Sequence, residues 1–266
     1  FRSYDGSIPT LPYLNRDAHL HMIEEARDRP MPGGFRALAA PEVSALRAAP
    51  ADVRKAVQQE PGTRPASALP YEPYCDGGLE QSGDVIALRL RAGKGLHGSR
   101  AAGLPFNVYC HDVKTASGMQ AATYAVAAGD TLNTAFDASS FKNGLYDVSV
   151  HAPNGFYRGY KGAFNSLKIQ VETCYLRARK KDFILQLKNH GNRKATIVSQ
   201  MKGEEKQRNI PLSPGQSTEL AFDLARYLMW YDIVLTSPDD TDFLWHFAGR
   251  IETGHPGQTD PTMGSV

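Results

Sequence analysis

Phe156-Tyr-Arg-Gly-Tyr-Lys-Gly162 returns later in the chain as Phe243-Leu-Trp-His-Phe-Ala-Gly249. Working toward the N-terminus, Tyr146-Asp-Val-Ser-Val150 returns as Tyr231-Asp-Ile-Val-Leu235. Val126-Ala-Ala-Gly-Asp-Thr131 returns as Leu212-Ser-Pro-Gly-Gln-Ser217, and both run on to an identical Ala-Phe-Asp, at 135–137 and 221–223. Phe106-Asn-Val-Tyr109 is echoed by Ala195-Thr-Ile-Val198, and Val85-Ile-Ala-Leu-Arg-Leu90 by Phe183-Ile-Leu-Gln-Leu187. Each copy is about 85 residues long and carries six or seven strand signals. That is the size of an immunoglobulin-like sandwich and not of a solenoid unit. Residues shared by two copies are explained more simply by common packing than by a duplicated active site.

The signals within each copy are those of strands. Val85, Ala87 and the pair Leu88/Leu90 alternate with Arg89 and Arg91, and Tyr124, Val126 and Ala128 alternate too. Runs of this length, separated by Gly, Asn, Asp and Pro, indicate an all-β sandwich or barrel. Gly129 and Gly215 mark turns ahead of strands. The expected fold is therefore mainly β: two tandem immunoglobulin-like β-sandwich domains, residues 75–163 and 166–253, preceded by a connector of residues 1–74 with two short helices and followed by a C-terminal tail, 254–266. Phe136 should lie over Phe222, Tyr146 over Tyr231 and Gly162 over Gly249, with both phenylalanines buried.

The connector reads differently. Arg16 to Arg27 places Leu20, Ile23 and Ala26 at helical spacing, with Asn15 as N-cap. Pro30 and Pro32 end that helix. A second helix is expected around Pro41 to Ala48, with Pro41 near its first position and Glu42 in its first turn. Pro50, Pro61, Pro65 and Pro70 then make an extended stretch. Two short helices cannot build a core alone, so this part is expected to dock on something.

Composition removes several classes. The chain has 266 residues, 41% hydrophobic and 22% charged, which excludes disorder and fibrous repeats. Its 30 basic and 28 acidic side chains, a net of +2, are too balanced to argue for a nucleic-acid partner. No run of about 18 apolar residues marks a transmembrane helix. The chain begins with Phe1 and shows no signal-peptide core, so it reads as a fragment or a processed product. Cys75, Cys110 and Cys174 have no zinc or redox spacing. They are read as three separate thiols, with a single bridge in an exported protein as the alternative.

Few motifs carry chemistry. Asp17-Ala-His19-Leu-His21 resembles a D-x-H-x-H metal motif, but on a helix residues i and i+2 diverge by about 200°, so one ion does not take both imidazoles. Gly93-Lys-Gly95-Leu-His-Gly98 matches G-x-G-x-x-G. The broken stretch after it offers no helix to meet a pyrophosphate, so it reads as a loop between strands. His111 beside Asp112, and Ser149 near His151, are chance-level pairings. No nucleophile elbow, H-E-x-x-H or P-loop occurs. The expectation is no catalytic residue, no metal ligand and no cofactor in this chain.

Arg177, Arg179, Lys180 and Lys181 form a basic cluster on the lead-in to the second copy. It is a solvated strand edge on the plain reading and an attractor of anionic lipid headgroups on the functional one. Aromatic residues gather near the ends of the copies. Most are core, while Trp230 and Trp245, where exposed, would be interfacial anchors. These six residues are the candidate lipid-surface contacts.

One long motif points to a family. Phe243-Leu-Trp-His-Phe-Ala-Gly-Arg-Ile-Glu-Thr-Gly254, with Asp260-Pro-Thr-Met-Gly264, resembles the tail of bacterial phosphocholine-specific phospholipases C. So do Gly144-Leu-Tyr-Asp-Val-Ser-Val-His-Ala-Pro-Asn-Gly-Phe-Tyr-Arg158, Pro105-Phe-Asn-Val-Tyr109, and Asn15-Arg-Asp-Ala18, Arg29-Pro-Met-Pro-Gly33 and Gln59-Glu-Pro-Gly-Thr-Arg-Pro65 nearer the start. The resemblance covers essentially the whole chain. It implies a metal-dependent, alkaline-phosphatase-like catalytic domain upstream, which holds the metal and the catalytic residues, with two β-sandwich domains after it. It also implies a bacterial parent, secreted or periplasmic, that releases phosphocholine from phosphatidylcholine or sphingomyelin. Residues 1–74 would then be the tail of that catalytic domain, and the upstream domain and a phospholipid surface the partners. The alternatives are a stand-alone module that binds carbohydrate or a cell surface, and an independent hydrolase.

Overall fold

The computed structural model describes residues 20–21, 24–25, 27, 38–48, 63–176 and 182–261. Two compact units divide the chain, Phe1–Gln58 and Gln59–Val266. In the first, Leu20, His21, Glu24, Glu25 and Arg27 are helical. His21 Nε2 meets Glu25 Oε1 one turn on, at 3.5 Å. His21 therefore belongs to a helix, as its spacing requires; Asp17 and His19 lie outside the described residues. Helix α1, Ala40–Ala48, carries Glu42 in its first turn and Arg47 in its last. The Glu42 carboxylate accepts the Ala39 N–H at 2.8 Å, reaching back across the helix start.

Among the described residues the second unit is built of strands, with three short 3-10 turns at Gly98–Arg100, Ala138–Ser140 and Ala225–Tyr227. Its strands are β1 (Pro65–Ala66), β2 (Pro73–Leu79), β3 (Val85–Ala92), β4 (Leu104–His111), β5 (Met119–Val126), β6 (Thr131–Asp137), β7 (Leu145–Ala152), β8 (Phe156–Ala163), β9 (Ile169–Leu176), β10 (Asp182–Asn189), β11 (Ala195–Met201), β12 (Arg208–Leu212), β13 (Ser217–Asp223), β14 (Trp230–Ser237), β15 (Asp240–Arg250) and β16 (Gly257–Gln258). Strands β2–β8 form one copy of the repeat and β9–β15 the other. The turn glycines behave alike in both. Gly129 and Gly215 have φ of 92° and 74°, and each donates its N–H to the last residue of a strand, Ala92 or Asn189.

The sequence separates two sandwiches; the structure joins them edge to edge. One sheet runs β13-β10-β9-β2-β3-β6 and the other β12-β11-β14-β15-β8-β7-β4-β5. Three strands of each copy lie in the first and four in the second. The copies meet where β2 pairs β9 and β8 pairs β15, antiparallel in both cases. In the second junction Gly159 faces His246, its own repeat equivalent, with Arg158 opposite Phe247 and Tyr160 opposite Trp245. The copies are thus related by an approximate two-fold axis through that pair. The physical reason is that strands ending a copy present unsatisfied backbone groups, and pairing with their equivalents satisfies them.

The alternation of each strand buries one face. Along β14 every second residue is buried, and the core carries Tyr146, Phe183, Phe222, Trp245 and Phe247 among its largest members. Phe183 of one sheet stacks on Tyr231 of the other with centroids 4.3 Å apart. The two copies pair these residues alike: Tyr146 with Gly162, and Tyr231 with Gly249. A Cβ on Gly162 would lie 2.5 Å from Tyr146 Oη, and one on Gly249 2.9 Å from Tyr231 Oη, so the tyrosine ring occupies the space that glycine leaves.

Phe136 departs from expectation. Phe222 is buried, whereas Phe136 is half-buried. In the second copy Arg208 reaches over from β12, its guanidinium 4.5 Å from the Phe222 ring and bonded to Ala221 O at 2.7 Å. That arm closes the open side of the sandwich. On the first copy's open side, the hydrogen bond between the hydroxyls of Tyr124 and Thr134 makes the crossing, and the ring stays partly exposed.

Candidate functional site

The expected lipid contacts fall into three groups. Residues 177–181, which carry Arg177, Arg179, Lys180 and Lys181, join the antiparallel pair β9–β10 and lie outside the described residues. Trp245 contradicts its expected role: it is fully buried, packs on Tyr160 and Phe243, and donates its indole N–H to Tyr146 Oη at 3.4 Å. It sits between Phe243 and Phe247 on the inward parity of β15, so it does not reach a membrane. Trp230 is half-buried, its indole N–H bonded to Gln258 O at 3.0 Å. It pins the C-terminal segment, which returns to pair β16 with β1 and bonds Thr259 to Arg64 in both directions.

Trp245 has a repeat equivalent of another kind, Arg158. This guanidinium is fully buried near the two-fold axis. It donates to Tyr157 O, Ala248 O and the hydroxyls of Tyr175 and Tyr231, and lies over the Phe156 ring at 4.1 Å. Burial works against its charge; the hydroxyls of Tyr231, Tyr175 and Tyr160 outweigh that and hold its pKa above the ordinary arginine value. Each copy thus sends a donor into the other copy's tyrosine, Arg158 to Tyr231 and Trp245 to Tyr146. Strand parity between Phe156 and Tyr160 points Arg158 inward, a signal the sequence holds in plain view.

The outer face of the eight-stranded sheet gathers the functional-looking side chains. Tyr109, His151, Tyr157 and His246 follow one another across β4, β7, β8 and β15, with ring centroids 5.6, 5.0 and 5.0 Å apart. Gly159 makes room for the middle of this strip, because a Cβ there would lie 2.8 Å from Tyr157 Oη. At one end His246 Nε2 meets Asp232 Oδ1 at 2.6 Å, a contact that holds the carboxyl below its usual range. Burial, with His111 nearby, lowers the His151 pKa. His111 Nε2 lies 3.2 Å from Ser149 Oγ. His111 and Ser149, which stand 38 residues apart in the chain, are brought together by the β4–β7 register.

A serine beside a histidine acts as a nucleophile only when a third group orients the ring and the hydroxyl is accessible. Ser149 is 6% exposed, and among the described residues no carboxylate is hydrogen-bonded to His111. Among the described residues, no group of three or more His, Cys, Asp or Glu side chains is placed to hold a metal ion. Gly93–Gly98 closes a short loop between β3 and β4, with Gly98 N bonded to Lys94 O. All three cysteines are free, and burial pushes the Cys75 and Cys110 thiols up to about 12.

These features define a duplicated β-sandwich module whose halves are locked through their cores. The model of the bacterial phospholipase C C-terminal domain matches this chain twice, over residues 65–163 and 169–250, once for each copy. The chain belongs to that family. It is 29% identical over 242 residues to a non-hemolytic phospholipase C of Pseudomonas aeruginosa, covering 86% of this chain and 32% of that protein. A non-hemolytic phospholipase C of Burkholderia pseudomallei is 29% identical over 79% of this chain and 29% of its own length. The hemolytic phospholipase C of Pseudomonas aeruginosa is 28% identical over 77% and 30%. The chain therefore spans about a third of the length of these relatives. A red sea bream transglutaminase structure aligns with 68% of this chain and 31% of its own at 10% identity and TM-score 0.24, too slight a likeness to bear on fold or function. Among the described residues, no helix is long and apolar enough to cross a membrane.

Proposed function

We propose that this chain is the non-catalytic C-terminal part of an exported bacterial phospholipase C that releases phosphocholine from phosphatidylcholine or sphingomyelin. Its duplicated sandwich supports an upstream, metal-dependent catalytic domain and orients it on lipid. The observation that carries this reading is the double family match on a chain spanning a third of its phospholipase relatives. The buried Arg158 and Trp245 cross-links favour a rigid support. For lipid contact the basic residues 177–181 carry the hypothesis. Each cation near an anionic surface contributes about 1 kcal/mol, and salt weakens it.

Two measurements test this. The purified chain is expected not to hydrolyse a chromogenic phosphocholine ester, with or without zinc or calcium. Turnover that survives re-purification and disappears in Ser149→Ala or His111→Asn overturns the reading. In liposome co-sedimentation at low and high salt, changing Arg177, Arg179, Lys180 and Lys181 to Ser is expected to remove the salt-sensitive binding. Equal sedimentation of both proteins takes the cluster out of the function.

A further inference from the structure

We infer that the outer face of the six-stranded sheet is a binding trough for a neutral polysaccharide chain. Two adjoining cavities of about 790 and 410 Å³ share Gln170 and Glu172 and together cross the sheet from β6 to β13. On the first copy the trough exists because one cross-strand row is made of small residues; on the second copy that row continues as Gln170, Lys188 and Ser217. Ala135 is opposite Ala87, Ala87 opposite Gly78, and Gly78 opposite Gln170. The next row carries longer polar side chains that line the trough and form its wall. It runs Asn133, Arg89 and Asp76 on the first copy, then Glu172, Gln186 and Glu219 on the second. With strands about 4.8 Å apart, six of them give a run of about 24 Å, room for a chain of several sugar units.

The wall is fixed before any ligand arrives. Arg89 Nη2 donates to Asp76 Oδ2 at 2.9 Å, and Asp76 Oδ1 accepts from Thr173 N at 2.9 Å and Thr173 Oγ1 at 3.1 Å. Gln170 Nε2 donates to Glu172 Oε1 at 3.0 Å, and His190 Nε2 contacts Gln170 Oε1 at 2.7 Å. Gln186 Nε2 donates to Glu219 Oε1 at 2.9 Å. Planar amides, carboxylates and a guanidinium held in a line lose little conformational freedom on binding. They also offer donors and acceptors in turn, which suits hydroxyl groups, since each hydroxyl both donates and accepts.

Other occupants fit less well. Four carboxylates, Asp76, Glu80, Glu172 and Glu219, face two cations, Arg89 and Lys188, so an anionic polymer or headgroup layer is repelled. Burial lowers the pKa of His190, which adds no charge at neutral pH. The large exposed apolar side chains among the described residues are Leu20, Leu38, Met119 and Leu244, all outside the trough, so nothing there holds an acyl chain. A peptide added as a strand needs an open sheet edge, whereas the trough is centred on β2 and β9, each paired on both sides.

The test is affinity gel electrophoresis of the full chain in gels containing soluble β-1,3-glucan, xylan, galactomannan or dextran, with heparin as the anionic polymer. Retardation by at least one neutral polysaccharide is expected. Asn133→Ala combined with Gln186→Ala, two exposed positions, is expected to weaken it about tenfold or more, the loss of two hydrogen-bonding side chains. Thr123→Ala on the opposite face should leave it unchanged, and circular dichroism melts show that each variant is folded. No retardation by any neutral polysaccharide, retardation by heparin alone, or equal retardation of the double variant overturns the inference.

Discussion

Gly162→Ala gives the sharpest test of how the core is built. The added Cβ would lie 2.5 Å from Tyr146 Oη, 2.8 Å from Cζ and 3.2 Å from Cε1. The ring has little freedom to retreat, because Trp245 donates to its hydroxyl and Phe164 packs against it at 5.2 Å. Overpacking of this kind costs about 1–3 kcal/mol, and three close contacts with a pinned ring place Gly162→Ala near 3 kcal/mol. Tyr146→Phe alone loses one neutral hydrogen bond, about 1 kcal/mol. The double variant removes the nearest clashing atom while Cζ stays close, so the relief is partial. Its loss should be about 3 kcal/mol against a sum of about 4, a coupling of about 1 kcal/mol. Urea unfolding followed by tryptophan fluorescence, from buried Trp245 and half-buried Trp230, measures all three variants, provided the slopes match. Additivity within about 0.3 kcal/mol would refute the claim that the tyrosine hydroxyl sets the demand for glycine.

Three other outcomes are expected. Phe222→Ala should cost about 3–5 kcal/mol and Phe136→Ala about half of that, because only the former ring is closed over by Arg208; equal shifts in urea midpoint would contradict this. Titration of the native protein with a thiol reagent at neutral pH should modify Cys174 ahead of Cys75 and Cys110, whose buried thiols are held at about 12, with all three reacting in denaturant. Acidification should destabilise the fold in two steps. His151, whose folded pKa is lowered, resists protonation, so stability present above about pH 6.5 is lost as pH falls below that value. Asp232, whose folded pKa is also lowered, contributes stability above the ordinary carboxylate range that is lost as pH falls through it. In pH-dependent melts, His151→Asn should flatten the upper step and Asp232→Asn the lower; unchanged slopes would rule out the assigned groups.

Much of this was legible in the sequence because strand signals are local. The alternation along β3 and β14, the turn glycines 129 and 215, and the paired Tyr146/Gly162 and Tyr231/Gly249 all follow from period-two burial repeated in two copies. What escaped was set by register between distant strands. Nothing near His111 in the chain says that Ser149 is its neighbour. Nothing in either copy says that β8 will pair with β15. The misreading of Trp245 has another origin. Its parity with Phe243 and Phe247 placed it in the core, but its type suggested an interfacial anchor, and geometry outweighed type. The small row Gly78, Ala87 and Ala135 reads as ordinary filler in each strand and becomes a trough only when three strands stand side by side.

The axis through Gly159 and His246 makes the molecule a fused homodimer in its symmetry. Each copy offers the other the same two strands, as subunits do across an isologous contact. A gene carrying one copy would produce a chain with two self-complementary edges, and association of two such chains would rebuild both sheets. Fusion removes that dependence on concentration and frees the halves to diverge. An arginine now stands where its twin has tryptophan, and a glycine where its twin has histidine, neither of which a true homodimer could carry on one side alone.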